Sequence, residues 1–219
     1  MIDIRKLYDT RFTTLERVRK KRLWEILCRN FLQKFIKNSD VVIDLGAGQC
    51  EFINNISAAK KIAVDINKDL NIFADKDVQV VKASIKKLRN LFPKESANVV
   101  FMSNLLEHMD NKEDVFRLIN EAYEVLKKDG RLLIMQPDIA LVGHSYWDFF
   151  DHKVPITYAS LIEVLLANKF RIVYSRYPFL PYSTKVKFLP LWPPLFLIYL
   201  KIRLLQIIFG KQFFICAEK

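Results

Sequence analysis

The sequence predicts an α/β domain built on a doubly wound, mostly parallel sheet, and three observations predict it. Short apolar runs rich in Val and Ile alternate with amphipathic stretches through the middle of the chain. Such alternation requires right-handed crossovers, so the strands lie parallel and helices cover both faces of the sheet. The first run, Val41-Val42-Ile43, passes directly into Asp44-Leu45-Gly46-Ala47-Gly48, the pattern of a buried strand ending in a glycine-rich turn. Finally, 219 residues of which 51% are apolar supply one substantial core with an appendage.

The elements follow in order. Residues 1–37 read as a basic helical extension. Within it Thr13 or Thr14 caps a helix over residues 13–37 with Glu16 close behind, and Leu23, Trp24, Leu27, Phe31 and Phe35 recur at helical spacing. Residues 38–219 then form the main domain. After the glycine turn, residues 50–59 fit a short helix; strands follow over 61–65, 78–82 and 97–103. Residues 114–127 form an amphipathic helix with Val115, Leu118, Ile119, Ala122 and Leu126 on one side, ended by Lys127-Lys128-Asp129-Gly130. A strand over 132–135, a helix over 157–167 and strands over 170–175 and 212–217 complete the pattern. One segment breaks the rhythm: residues 178–210 are a basic, apolar insertion holding five prolines and the apolar run 195–209. As a helix that run would be about 22 Å long. A bilayer core is roughly 30 Å thick, so the run is too short to span it.

Charge is unevenly placed. The net charge is +11, with +7 in residues 1–37, −4 in 38–168 and +8 in 169–211, where no acid occurs. Basic ends on a mildly acidic middle favour an anionic partner, nucleic acid or a membrane surface. Five glycines and eight prolines exclude a collagen-like chain. Cys28, Cys50 and Cys216 have neither metal-ligand spacing nor a disulfide framework, and the first residues, Met1 to Arg5, bring an acid and no apolar run. Both features fit reduced thiols in the cytoplasm, without a secretory leader.

The glycine turn carries the chemistry. Gly46 and Gly48 allow a sharp strand exit and close approach of a ligand to the backbone. A dinucleotide needs a third glycine where this chain has Glu51, and a carboxylate there repels phosphate. Asp44, just before the glycines, suits a cationic ligand instead. S-adenosylmethionine, with an ammonium, a sulfonium and a carboxylate in one tail, fits. Twenty-one residues after Asp44, Asp65 ends the next strand, where an acid accepts both ribose hydroxyls.

These residues resemble the class I S-adenosylmethionine-dependent methyltransferases. Asp44-Leu-Gly-Ala-Gly48 is similar to their first motif, and Ala63-Val-Asp65-Ile to their ribose-binding strand end. Ser103-Asn104-Leu-Leu-Glu107-His108-Met resembles the segment after strand four of the small-molecule, type 11-like branch, and 124–134 the helix and fifth strand. The likeness covers about residues 38–177. It implies a Rossmann-like, seven-stranded sheet whose last strand, 212–217, is antiparallel. It also implies cofactor contacts from Asp44, Gly46, Gly48 and Asp65, from Asn104 near the sulfonium, and from Ser84 on the adenine in place of the acid that many relatives have. Tyr146-Trp-Asp-Phe-Phe-Asp-His152 and Leu180-Pro-Tyr-Ser-Thr-Lys185 resemble bacterial methyltransferases of cell-surface glycan and lipid-linked sugar pathways.

Methyl transfer needs orientation above all, and a hydroxyl acceptor also needs a base. The catalytic candidates are His152 with Asp151 or His144, in an aromatic- and acid-rich loop; His108 is a further one. Asp148 and Asp151 lack a second ligand cluster, so no metal is expected. The reading is an O-methyltransferase acting on a small-molecule or lipid-linked acceptor, a glycan precursor. Residues 178–210 would lie on an anionic membrane surface through Lys185, Lys187, Lys201 and Arg203. Two alternatives stand beside it. An RNA methyltransferase would use the basic ends, but the chain has no Asn-Pro-Pro-Tyr or Asp-Pro-Pro-Tyr after strand four and no catalytic cysteine at a strand end. A scaffold would keep the cofactor fold and not the chemistry.

Overall fold

The structure, a computed structural model, describes residues 13–182 and 193–219. Met1 to Arg5, Ser183, Thr184, Lys185 and Lys187 lie outside these residues. Seven strands form one sheet: β1 (Val41–Leu45), β2 (Lys60–Asp65), β3 (Val78–Lys82), β4 (Ala97–Ser103), β5 (Leu126–Pro137), β6 (Arg171–Arg176) and β7 (Gln212–Glu218). Their order is β3-β2-β1-β4-β5-β7-β6. β1 to β5 pair in parallel, whereas β7 runs antiparallel to both β5 and β6, with Leu133 opposite Cys216. The order reverses between β1 and β4, and a doubly wound sheet opens its binding crevice at that switch, beyond the strands' carboxyl ends.

Helices α1 (Thr14–Asn30), α2 (Leu70–Phe73), α3 (Lys112–Val125), α4 (Ile139–Val142), α5 (Tyr158–Ala167), α6 (Pro193–Lys201) and α7 (Arg203–Phe209) surround the sheet. Strand periodicity divides the core in two. Val42, Ala63, Phe101, Leu133 and Phe214 point to one face, covered by Leu23 and Leu27 of α1, by Phe31 just after it, and by Phe196, Tyr199 and Leu200 of α6. Ile43, Val64, Val100, Ile134 and Phe213 point to the other, covered by Val115, Leu118, Ile119 and Ala122 of α3 and by Leu161 and Leu165 of α5. Full burial of each large side chain contributes about 1.5–3 kcal/mol.

The α1 helix starts on a capping box: Thr13 Oγ1 accepts the Glu16 N–H at 3.3 Å while the Glu16 carboxylate accepts the Thr13 N–H at 2.7 Å. It ends at Asn30, and residues Leu32–Phe35 continue as a 3-10 turn. Phe31 sits at that joint, 4.5 Å from Phe179 and 5.0 Å from Phe214 between ring centroids, and so fastens α1 to the sheet.

Besides the helix expected over 13–37, which gives way after Asn30, three sequence expectations change. The helix expected over 50–59 is only a 3-10 turn at Ile53–Asn55. Cys50 takes a left-handed φ of 61°, which an α-helix does not admit, and Ile56 returns to extended backbone. Asn54 and Asn55 spend their amides on the carbonyls of Phe73 and Glu51. The helix expected to reach residue 127 stops at Val125, because Leu126 already pairs with Ala97 as the start of β5, and Asp129, not Gly130, takes the positive φ. The apolar run 195–209 is two helices, broken at Ile202, whose backbone is extended. Its first half buries Phe196, Tyr199 and Leu200; its second leaves Leu204, Ile207 and Ile208 more than half exposed. Among the described residues no helix is long and apolar enough to cross a membrane.

Candidate active site

A cavity of about 240 Å³ opens at the switch point. Its floor is the glycine turn. Gly46 and Gly48 have φ of 71° and 54°, a region costly for other L-residues, and their neighbours explain why side chains are absent. A Cβ on Gly46 would meet Leu105 Cδ1 at 2.7 Å, whereas a Cβ on Gly48 would project into open space, nearest to the Gly46 carbonyl at 4.0 Å. The first glycine therefore permits packing of the loop after β4; the second leaves room for a ligand against the backbone.

Asp44 lies on that floor, 3% exposed. Burial holds its carboxyl well above the usual carboxylate range; the charges of Asp65 and Glu51 push the same way, against the Ile53 N–H. Such a group favours a cation. Asp65 stands at the end of β2 with both oxygens engaged: Oδ2 accepts the Gly48 N–H and Oδ1 the Asn67 N–H, each at 2.8 Å. The second expected acid thus fixes the turn itself. Asn104, at φ 48°, lines the cavity from the end of β4, and its N–H donates to the Met135 carbonyl at 3.0 Å. Open space above Gly48, an exposed polar edge at Asn104 and the buried carboxyl of Asp44, which a cation would favour as the anion, fit a zwitterionic sulfonium ligand. Ser84 is not among the residues lining the cavity; its Oγ caps the following turn by accepting the Lys86 N–H at 3.3 Å.

The acceptor side is histidine-rich, though not in the pairing the sequence suggested. His152 lines the cavity inside a ring of aromatics: centroids lie 4.8 Å from Tyr146, 5.1 Å from Phe149 and 4.9 Å from His108. His144 is exposed and does not line the cavity. The cause is local: Tyr146 is the residue of its 3-10 turn (Gly143–Asp148) that goes inward, with its hydroxyl donating to the Val154 carbonyl at 2.6 Å, and His144 stays outside. Asp151, expected as a companion of His152, engages His108: His108 Nδ1 is 3.3 Å from the carboxylate and 3.1 Å from the Asp151 carbonyl.

Glu107, its partner Gln136 and the α1 wall escaped sequence reading. Glu107 is 1% exposed beside the cavity, and its Oε2 accepts from Gln136 Nε2 at 2.7 Å. Burial raises its carboxyl, while His108 and the Gln136 amide lower it. The available signal was an acid inside Leu105-Leu106-Glu107-His108-Met109 and a Gln closing the apolar run of β5. The α1 helix supplies a wall through Arg17, Lys20, Leu23, Trp24 and Leu27, and Lys20 pairs with Glu51 at 2.8 Å. Part of the basic run expected to face an anionic partner is therefore spent within the molecule. The same holds for Arg203, whose guanidinium donates to the carbonyls of Tyr177 and Pro178.

Comparison with known proteins agrees with this geometry. Residues 43–134 match the methyltransferase domain family. A ribosomal protein L11 methyltransferase from Bacillus pumilus is 30% identical over 115 residues, covering 48% of this chain and 34% of its own length. An uncharacterized protein of Methanocaldococcus jannaschii is 28% identical over 130 residues, or 58% of this chain and 49% of its own. The chain thus spans about half, or less, of the length of these curated relatives. The crystal structure of an S-adenosylmethionine-dependent methyltransferase from Archaeoglobus fulgidus superposes with a TM-score of 0.66 at 24% identity, over 91% of this chain and 94% of that one, a likeness of fold. The match over residues 43–134, the paired glycines at the switch-point cavity and the fold likeness together support a class I S-adenosylmethionine-dependent methyltransferase.

Proposed function

We propose that this protein O-methylates a small-molecule or lipid-linked acceptor, with the cofactor over Gly46 and Gly48 and the acceptor against His108, His152 and the aromatic wall. S-adenosylmethionine supplies an activated methyl group when bound. The chain's own work is to orient, to exclude water and to manage the acceptor's proton. The observation that carries the reading is the placement of His108 and His152 in the cofactor cavity, with Asp151 holding the first ring and Tyr146 and Phe149 enclosing the second. A hydroxyl needs such proton-handling groups; an amine, already nucleophilic once neutral, needs them less.

The lipid-linked form of the acceptor draws support from one element. The α6 helix walls the cavity with Phe196, and on its outer side Ile198, together with Ile202, Leu204, Ile207 and Ile208, makes an exposed apolar ridge. A lipid surface is one way to cover it, with exposed Lys201 at its border. Arg203, bound to two carbonyls, is removed from that role.

Transfer of labelled methyl groups into a cell extract, then separated into lipid, small-molecule, RNA and protein fractions, tests the proposal. Base-stable label in the lipid or small-molecule fraction is expected. Label confined to RNA or protein would overturn it.

A further inference from the structure

We propose that Glu107, His108 and His152 bind a divalent transition-metal ion at the acceptor end of the cavity. The inference rests on the hydroxyl-acceptor reading for its chemical role but not for the site itself. It departs from the sequence expectation that no metal is held, because His152 lies 45 positions after Glu107 in the chain and only the fold brings it to Glu107 and His108.

The three side chains each offer one ligand atom, and these atoms lie within 4.8 Å of one another. A tetrahedral ion about 2.0–2.1 Å from nitrogen and oxygen ligands sets those ligands roughly 3.4 Å apart. Small side-chain rotations close that difference. The backbone already fixes the set: the N–H groups of Lys153 and Val154 donate to the Glu107 carbonyl at 2.8 and 3.1 Å, pinning the segment that carries His152 to the one that carries Glu107 and His108.

Supporting contacts around two of the three side chains are those a metal site requires. Asp151 holds Nδ1 of His108, through its carboxylate at 3.3 Å and its carbonyl at 3.1 Å, and so leaves Nε2 as the nitrogen for an ion. Gln136 holds Oε2 of Glu107 at 2.7 Å and leaves Oε1. A carboxylate 1% exposed and bonded to a neutral amide is costly as an anion; a cation beside it offsets that cost. Two imidazoles and one carboxylate suit Zn²⁺, Co²⁺ or Mn²⁺ and leave coordination positions open, as catalytic sites do. All three residues line the cofactor cavity, so an acceptor oxygen can occupy an open position. There the ion would accept a lone pair of the hydroxyl oxygen and ease loss of its proton to water, with no electron transferred, so that the two imidazoles would manage the proton through the ion they hold and not as the base themselves.

The test uses the full chain stripped of metal and titrated with Co²⁺, followed by visible absorbance and calorimetry. One site per chain is expected, with His108→Ala and His152→Ala each weakening Co²⁺ at least a hundredfold, and Asp151→Asn ten- to a hundredfold through the ring it holds. S-adenosylhomocysteine affinity, measured on every variant, should stay within threefold of wild type, which shows that the fold persists. Wild type without a Co²⁺ signal, or His108→Ala and His152→Ala binding as wild type does, would overturn the site. Label reaching an oxygen acceptor from stripped protein with no Co²⁺ signal overturns the metal and spares the acceptor reading. A Co²⁺ signal with label only in RNA or protein supports the metal site and overturns that reading.

Discussion

Replacing Asp65 by Ala separates the bracing role that the structure gives this carboxylate from the ribose contact expected of it. The side chain accepts the N–H groups of Gly48 and Asn67, each at 2.8 Å, and so ties the glycine turn to the end of β2. Hydrogen bonds to a charged group contribute about 1.5–3 kcal/mol each. Asp65 is only half-buried, so water replaces part of what Ala removes. A net loss of about 1.5–3 kcal/mol is expected, which for a domain of this size lowers Tm by about 3–12 °C. The ribose hydroxyls lose their charged acceptor as well, another 1.5–3 kcal/mol or so, a ten- to hundredfold weaker affinity. Asp65→Asn keeps the shape and one acceptor, so it should recover much of the Tm and little of the affinity. Thermal melts with and without S-adenosylhomocysteine, together with calorimetry, read both quantities. If Asp65→Ala melts early yet binds S-adenosylhomocysteine as wild type does, the carboxylate only braces the turn and its ribose role is wrong.

Asp44 makes a prediction of opposite sign for stability. Its folded carboxyl is raised by burial and by Asp65 and Glu51, so its contribution to stability is fully present in acid and is lost as pH rises toward its folded value. Asp44→Asn should therefore stabilise the ligand-free protein, more at pH 7.5 than at pH 5, while weakening S-adenosylmethionine more than tenfold; urea midpoints at the two pH values, with calorimetry, check it, and a variant less stable than wild type at both would refute the electrostatic account. The apolar ridge predicts co-sedimentation with anionic vesicles at low salt, diminished by Leu204→Glu with Ile207→Glu at unchanged S-adenosylhomocysteine affinity. Wild type that stays in the supernatant would remove the membrane from the account.

The fold was largely legible because strand cores declare themselves locally. Val78 to Lys82 and Ala97 to Ser103 begin and end where the sequence placed them, since apolar runs bounded by charge and turn residues have few alternatives. The glycine turn was legible for the same reason, its geometry being a property of a few neighbouring residues. What followed it was not: whether 50–59 coils into a helix depends on Cys50 adopting a positive φ and on the partners of Asn54 and Asn55, which are tertiary facts. The acceptor side was legible as composition and not as pairing. His152 could be singled out in an aromatic loop, but that Asp151 turns to His108 and Glu107 to Gln136 depends on β4 and β5 lying side by side. Charge was legible in sum alone, because Lys20 and Arg203 find partners inside the molecule.

A cofactor bound at the switch point would rest on the glycine turn. Calorimetric titration of S-adenosylhomocysteine into wild type and Gly46→Val tests it most directly. At Gly46 a side chain must adopt φ 71°, and its first carbon meets Leu105 Cδ1 at 2.7 Å, so Val displaces the turn or the loop after β4. One binding site in the wild type and no measurable heat from a Gly46→Val protein that still melts cooperatively is the predicted result. A wild type that does not bind, or two proteins that bind alike, would contradict the account.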